Sequence, residues 1–383
     1  MNKPTVQDIF WKFYPAYLEK YIPSPSQEKA ARCIINCKTG AYGANLSVCE
    51  ECGCFQLHYN SCRNRCCPMC QALPKEKWMD QQQENVLEAP YFHLVFTVPA
   101  ELNPVIYCNQ KLLYDALYQA ASETISQLCA QEKHLGAKVG YSCVLHTWGS
   151  EMNYHPHIHT ILLGGGLTEK REWKDTGGKF FLPIQVISPV FKGKYMDILK
   201  GLWEQEKLVF YGSAEKYHNY YAFKELLDIC YSKEWIPYCK KTFNGAQSVI
   251  KYLGKYTHRI AISNYRIIRM DEDTVTFSVK DYCNEGSWKE LTLSGVEFIR
   301  RFLMHVPPKR FVRIRHYGLL CNRSKNKNLA VCRNLLGCKK YISELKNMDV
   351  PQMLEHLYGI NICICKHCGG RMGRPKLCFP MRC

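Results

Sequence analysis

The chain has 383 residues, 46% of them apolar, and a formal net charge of +17. That apolar share over that length excludes a wholly disordered chain and allows two or three domains around a sizeable core. The charge points to a polyanionic partner, nucleic acid first and anionic membrane second, although no apolar run approaches the roughly 18 residues of a membrane span.

Residues 1–21 mix charges and aromatics and carry no apolar signal segment, so the sequence predicts a cytoplasmic, nucleoid-associated protein. Thiols stay reduced there, and 23 cysteines then call for metal rather than disulfides. Three regions follow in order, with boundaries at 1–88, 89–299 and 300–383. The first opens on an amphipathic helix (Ile9, Phe10, Phe13, Tyr17, Leu18) and continues into a cysteine ladder. Cys49-x-x-Cys52 and Cys66-Cys67-x-x-Cys70 are two knuckles about a dozen residues apart, with Cys37, Cys54 and Cys62 nearby. Such turns each present two thiolates to one tetrahedral zinc. Cys49, Cys52, Cys67 and Cys70 are the simplest set, and Cys37, Cys62 and Cys66 would serve a second ion. A closed sulfur shell folds a module rather than performing chemistry.

The middle region mixes strands and helices. Tyr91–Val98, Val139–Trp148, Tyr154–Leu163 and Thr274–Lys280 read as strands, and Lys111–Gln131 and Ala246–Tyr256 as helices. Gly164-Gly165-Gly166 reads as a break after the third strand. That strand carries His155, His157 and His159, which alternation puts on one face. His157 and His159 are the preferred metal pair, because Pro156 disturbs the ladder near His155. Gln247, His93 and His146 are candidates for a third ligand. Imidazole with oxygen ligands leaves positions open, so this site could act on a phosphoryl oxygen with Mg²⁺ or Mn²⁺.

On the predicted helix after Ala246, Tyr252 and Tyr256 stand at i and i+4, on one face, among Lys251, Lys255, His258 and Arg259. Nearby cations favour the phenolate, and a phenolate can attack phosphorus. The third region is basic. From Arg300 to Lys340 there are twelve Lys and Arg and no Asp or Glu. Phe302, Phe311 and Tyr317 interleave with Arg310, Arg313 and Arg315, a pattern for a groove that tracks a nucleic-acid backbone and stacks bases. Lys255 and Arg259 join these as DNA-binding candidates. Cys365-x-x-Cys368 is a further zinc knuckle, with Cys363 and Cys378 as its candidate partners.

His-hydrophobic-His followed by Tyr-x-x-x-Tyr resembles the HUH superfamily of single-strand endonucleases. The resemblance narrows to two-tyrosine rolling-circle insertion-sequence transposases over nearly the whole chain. It rests on Tyr59–Gln71, Tyr91–Pro99, Leu145–Gly149, Tyr154–His159, Gly164–Leu167, Tyr252–Asn264 and Phe311–Gly318. It implies that His157 and His159 bind the divalent metal, that Tyr252 and Tyr256 are the nucleophiles, and that the cysteine ladder is a zinc-binding domain. Cys66 departs from the family, where histidine is usual. The implied fold is α+β: a ferredoxin-like HUH nuclease domain with a central antiparallel sheet, histidines on a central strand and tyrosines on a facing helix. The small zinc domain precedes it and the basic region follows. The implied substrates are single-stranded, hairpin-forming DNA at the element's ends, and target DNA. Two other functions fit the same residues: a plasmid relaxase or replication initiator with this chemistry, and a non-catalytic zinc-dependent DNA-binding regulator.

Overall fold

The computed structural model describes residues 3–177, 182–235, 237–241, 248–249, 254, 261–281 and 287–378. Helix α1 (Val6–Lys20) begins in a capping box in which Thr5 and Asp8 satisfy each other's backbone amides. Val6, Ile9, Phe10, Phe13 and Tyr17 recur at helical spacing and are buried. Helix α2 (Pro25–Ile35) packs against it. A hairpin of β1 (Ala44–Val48) and β2 (Phe55–Tyr59) and helix α3 (Ala72–Gln83) complete the N-terminal part.

The central sheet follows. Its strands are β3 (Tyr91–Thr97), β4 (Lys138–Trp148), β5 (Tyr154–Leu167), β6 (Trp173–Asp175), β7 (Tyr238–Lys241) and β11 (Ile314–Gly318). The order is β11-β4-β5-β3-β7, with β6 on the far end of β5, and every pairing is antiparallel. Between these strands run α4 (Asn103–Cys108), α5 (Gln110–Ala130), α6 (Ile184–Glu204) and α7 (Tyr220–Ser232). Helices α5 and α6 cover one face of the sheet, where Phe92, Leu94, Phe96, Leu145, Ile158 and Leu162 form the largest core. Phe96 meets Phe191 of α6 with ring centroids 4.8 Å apart.

The three glycines do not end the third predicted strand. Strand β5 runs on through Leu167, beyond the expected stop at Leu163. The reason is close approach rather than a turn. A Cβ on Gly166 would stand 2.5 Å from the Lys138 carbonyl oxygen, and one on Gly165 would enter the Trp173 ring. Glycine lets the neighbouring strands close on β5.

A second core joins α1 and α2 to a small sheet of β8 (Ile267–Met270), β9 (Thr274–Asp281) and β10 (Ser287–Ser294), and to helix α8 (Gly295–Met304). Residues after 300 are spread over three places. The rest of α8 packs on α1, β11 pairs with β4, and β12 (Lys376–Cys378) pairs with β1. Helices α9 (Lys325–Leu336) and α10 (Val350–Tyr358) lie between the last two. Together this is a mixed α+β fold with antiparallel sheets, as the family resemblance implies. No helix among the described residues is long and apolar enough to cross a membrane.

Candidate functional site

Strand β5 lies at the centre of the sheet. Because side chains alternate, Ile158 enters the α5/α6 core while His157 and His159 share the opposite face. Register puts His146 of β4 directly across from His157, and His93 of β3 across from Ile161, one row beyond His159. All four imidazoles are buried. The nitrogens that His146, His157 and His159 can offer a metal all lie within 4.8 Å of one another.

The hydrogen bonds select a tautomer. His157 Nδ1 lies 2.6 Å from the His155 carbonyl oxygen, which can only accept, so the proton is on Nδ1 and Nε2 keeps its lone pair. That Nε2 is 3.1 Å from His159 Nε2. Two imidazoles on one ion, each about 2.0–2.1 Å from it, stand roughly 3.0–3.4 Å apart, so the pair fits a shared metal without rearrangement. On its other side, His159 Nδ1 is 2.9 Å from His93 Nε2. With its proton on Nδ1, His159 donates to His93 and turns Nε2 toward His157. His93 therefore lies behind His159, and His146 is the third imidazole on the side of Nε2, so a metal held there would have His93 as an orienting partner rather than a ligand. Gln247, the remaining candidate, lies outside the described residues.

Burial also keeps these groups neutral, as ligation demands. Desolvation, helped by His155, pushes His157 down to about 3. Desolvation and the neighbouring His146 and His157 hold His159 well below the usual histidine value. Desolvation lowers His93 to about 4.

Tyr252 and Tyr256, with Lys255 and Arg259, lie outside the described residues. Their near neighbour Val249 is described. It is buried in a cluster with Val144 and Ile161, which share the sheet face of the histidines.

The cysteines group differently from the expected sets. Cys37, Cys62, Cys67 and Cys70 come together, with Cys62 and Cys70 sulfurs 3.7 Å apart. A tetrahedral zinc with bonds of about 2.3 Å has sulfur–sulfur edges near 3.8 Å, so this set fits one ion. Gln7 of α1 supports it: its Nε2 donates to the carbonyls of Ile34, Ile35 and Cys37 at 3.1, 2.9 and 2.7 Å. Cys49 and Cys52 do not join Cys67 and Cys70; they lie beside Cys365 and Cys368. Cys66 belongs to neither group. Only Cys67 of the adjacent pair reaches the cluster, and Cys66 is buried, its thiol pushed up to about 11 by desolvation against the pull of Arg313 and Arg65.

The basic stretch is also partly committed to the fold. Arg300 and Arg301 bind Glu297, Arg315 pairs with Asp115 and stacks over Tyr118, and Arg313 lies over the Trp148 ring. Lys309 and Arg310 are exposed. Phe302 and Phe311, expected as stacking platforms, are core residues instead. Phe302 is on the apolar face of α8 against Phe10, and Phe311 meets Tyr114 edge-on.

Comparison with known proteins now adds to this geometry. Residues 9–98 match a family described as "Transposase zinc-binding domain", of IS91 type, and residues 140–328 match one described as "Putative transposase". The second range holds the histidine strand. A protein of Sinorhizobium fredii named "Putative transposase y4qJ" is 39% identical, over 87% of this chain and 84% of its own length. The chain belongs to the IS91-type insertion-sequence transposases. The transposase for insertion sequence element IS801 of Pseudomonas savastanoi pv. phaseolicola is a further relative, 28% identical over 88% of this chain and 81% of its own length. No solved structure matches the transposase significantly. Membership in this family implies DNA substrates, and the matched zinc-binding domain contains the Cys37, Cys62, Cys67 and Cys70 cluster, whose spacing suits a structural zinc ion.

The sequence singles out all four histidines that the structure brings together, with His93 and His146 as open alternatives beside His157 and His159. The signal for His146 was register. It stands across from His157 only if β4 and β5 pair directly, and the short 149–153 connection makes that pairing the natural one.

Proposed function

We propose that this transposase cleaves and rejoins single-stranded DNA at the ends of its element through 5′-phosphotyrosine intermediates, in rolling-circle fashion. The carrying observation is the convergence of His146, His157 and His159 on the sheet face that also buries Val249, three residues before Tyr252. In this reading the sheet is the ferredoxin-like platform of an HUH nuclease. His157, His159 and His146 would hold Mg²⁺ or Mn²⁺, and an all-imidazole set favours Mn²⁺ of the two. When bound, such an ion draws charge from a phosphoryl oxygen and makes phosphorus more electrophilic. The phenolic oxygen of Tyr252 or Tyr256 forms the new bond to phosphorus as its proton departs. The bond to the 3′-oxygen breaks, and that oxygen takes up a proton to leave as a free 3′-OH. The phosphodiester energy is kept in the phosphotyrosine, so rejoining by a 3′-OH needs no ATP. Two tyrosines allow two DNA ends to be held in turn. Lys255, Arg259 and Arg310 contribute phosphate contacts, and the element's ends present as hairpin-forming single strands.

The test is incubation with single-stranded oligonucleotides carrying the element's ends, with Mg²⁺ or Mn²⁺. A covalent protein–DNA adduct is expected in the wild type and none in Tyr252→Phe/Tyr256→Phe. An adduct that persists in that double variant refutes the nucleophile assignment. His157→Ala should abolish cleavage and leave salt-sensitive DNA binding in place; full cleavage by that variant would remove the metal from the proposal.

A further inference from the structure

We propose that Cys49, Cys52, Cys365 and Cys368 hold a second structural zinc ion, which clasps residues near the two ends of the chain to each other. The matched zinc-binding domain ends at residue 98, far short of Cys365, and the inference is independent of any step in DNA cleavage.

The four sulfurs come within ligand range of one centre. Cys49 and Cys368 sulfurs are 3.5 Å apart, and those of Cys52 and Cys365 are 3.7 Å apart. Disulfide sulfurs would be about 2.05 Å apart, so these are not bonded pairs. The observed spacing is instead close to the roughly 3.8 Å edge of a zinc–sulfur tetrahedron. Simple burial of apolar thiols does not explain the cluster either, because Cys52 and Cys368 are exposed while Cys49 and Cys365 are buried. Two of the four thiols stand at the surface and still converge.

The two halves are built alike. Each is Cys-x-x-Cys-Gly: Cys49-Glu-Glu-Cys52-Gly53 and Cys365-Lys-His-Cys368-Gly369. Each turns back through its glycine, at φ 69° for Gly53 and 78° for Gly369. Gly53 N donates to the Cys49 carbonyl, and Gly369 N to that of Cys365. In the second half, His367 N and Gly370 N also point at the sulfurs of Cys365 and Cys368, both at 3.4 Å. Amides aimed at sulfur stabilise thiolate, the form that binds zinc. The backbone joins the halves as well. Glu50 N donates to the Arg371 carbonyl, Gly373 N to that of Val48, and β12 lies in register along β1. A competing set of Cys52, Cys54 and His367 also converges. It offers three ligands rather than four and leaves buried Cys49 and Cys365 unused. Cys363 and Cys378, the partners expected from sequence, lie outside the cluster. Cys378 sits in β12 opposite Ala44.

The experiment uses the full-length chain loaded with excess Zn²⁺ and freed of unbound metal, with bound zinc measured per chain by mass spectrometry of the metal. Cys365→Ser/Cys368→Ser and Cys49→Ser/Cys52→Ser should each lose one ion, and the quadruple variant should also lose only one. Cys363→Ser/Cys378→Ser should lose none. A quadruple variant that loses two ions, or double variants that lose none, overturns the clasp. Because a variant could fail to fold, the unaltered protein supplies a second reading by hydrogen exchange during chelation. Amides of Cys49 and Gly53 should lose protection in the same step as those of Cys365, Gly369 and Gly370. Loss of one set while the other stays protected would refute a shared ion.

Discussion

Replacing His93 with phenylalanine separates an orienting residue from a ligand. Phenylalanine keeps the buried ring and its stacking on His159, whose centroid is 5.2 Å away, but it cannot accept from His159 Nδ1. The lost contact is the 2.9 Å hydrogen bond that turns His159 Nε2 toward His157. Removing such a support for a metal-bound histidine lowers metal affinity about 10- to 100-fold, or about 1.4–2.8 kcal/mol. His157→Ala removes a nitrogen from the metal side itself and should cost far more. The assay is Mn²⁺ titration of each variant, followed by electron paramagnetic resonance of free Mn²⁺, with thermal unfolding as a check on the fold. His93→Phe should weaken binding within that window and remain folded. A loss as large as that of His157→Ala would make His93 a ligand and refute the tautomer argument. An affinity unchanged within twofold would show that the hydrogen bond orients nothing.

Three further outcomes follow from the packing. Asp80 of α3 is buried and accepts from Tyr341, Ser343 and the backbone amides of Glu344 and Leu345. Burial alone would raise its carboxyl, but these donors outweigh it and hold it below the usual value. Its contribution to stability is therefore complete above about pH 4 and fades as pH falls through the lowered folded-state pKa. Asp80→Asn should destabilise by about 1.5–3 kcal/mol at pH 7 in denaturant melts, with the gap to wild type narrowing as pH falls through the lowered folded-state pKa; a gap that does not change with pH refutes the charge argument. Gln7→Leu should cost about 1–3 kcal/mol by leaving buried carbonyls unpaired, and zinc should leave the Cys37 cluster faster in a chromogenic chelator; unchanged release would separate α1 from that site. Gly318→Ala should lower the melting temperature, since Gly318 has φ 60° and its Cβ would collide with the Val139 carbonyl oxygen. Left-handed backbone alone adds about 1–2 kcal/mol for alanine, before the collision; an unchanged melting temperature would mean that β11 shifts freely.

Much of the site was legible because its signals are local. Alternation around Ile158 put His157 and His159 on one face without knowledge of any neighbour, and the periodicity of α1 and α5 needed only its own residues. What stayed hidden depends on partners distant in sequence. The glycines at 164–166 look like a stop until Trp173 and Lys138 are seen pressed against them. Phe302 and Phe311 looked like platforms because arginines surround them in sequence, yet α8 turns Phe298 and Phe302 inward while Arg300 and Arg301 reach Glu297. The cysteine sets failed for the same reason. Spacing says which thiols share a turn, but not which turns meet after more than 300 residues. The repeated Cys-x-x-Cys-Gly of the two knuckles was the one sequence clue to that meeting.

The pairing of β12 with β1 also bears on how the protein is made. Strand β1 is the middle strand of its sheet, yet the register partners of Ala44, Asn45 and Leu46 are Cys378, Leu377 and Lys376. Cys49 and Cys368 are 319 residues apart. At synthesis rates of about 5–20 residues per second, that separation is on the order of 15–60 s. Throughout that interval the nascent β1–β2 hairpin has an open backbone edge, with exposed Phe55, Leu57 and Tyr59 on its partner strand. An open edge beside aromatic side chains is a site for pairing with other chains. Ribosome stalling or a frameshift before Lys376 would therefore leave a product whose first hairpin stays sticky.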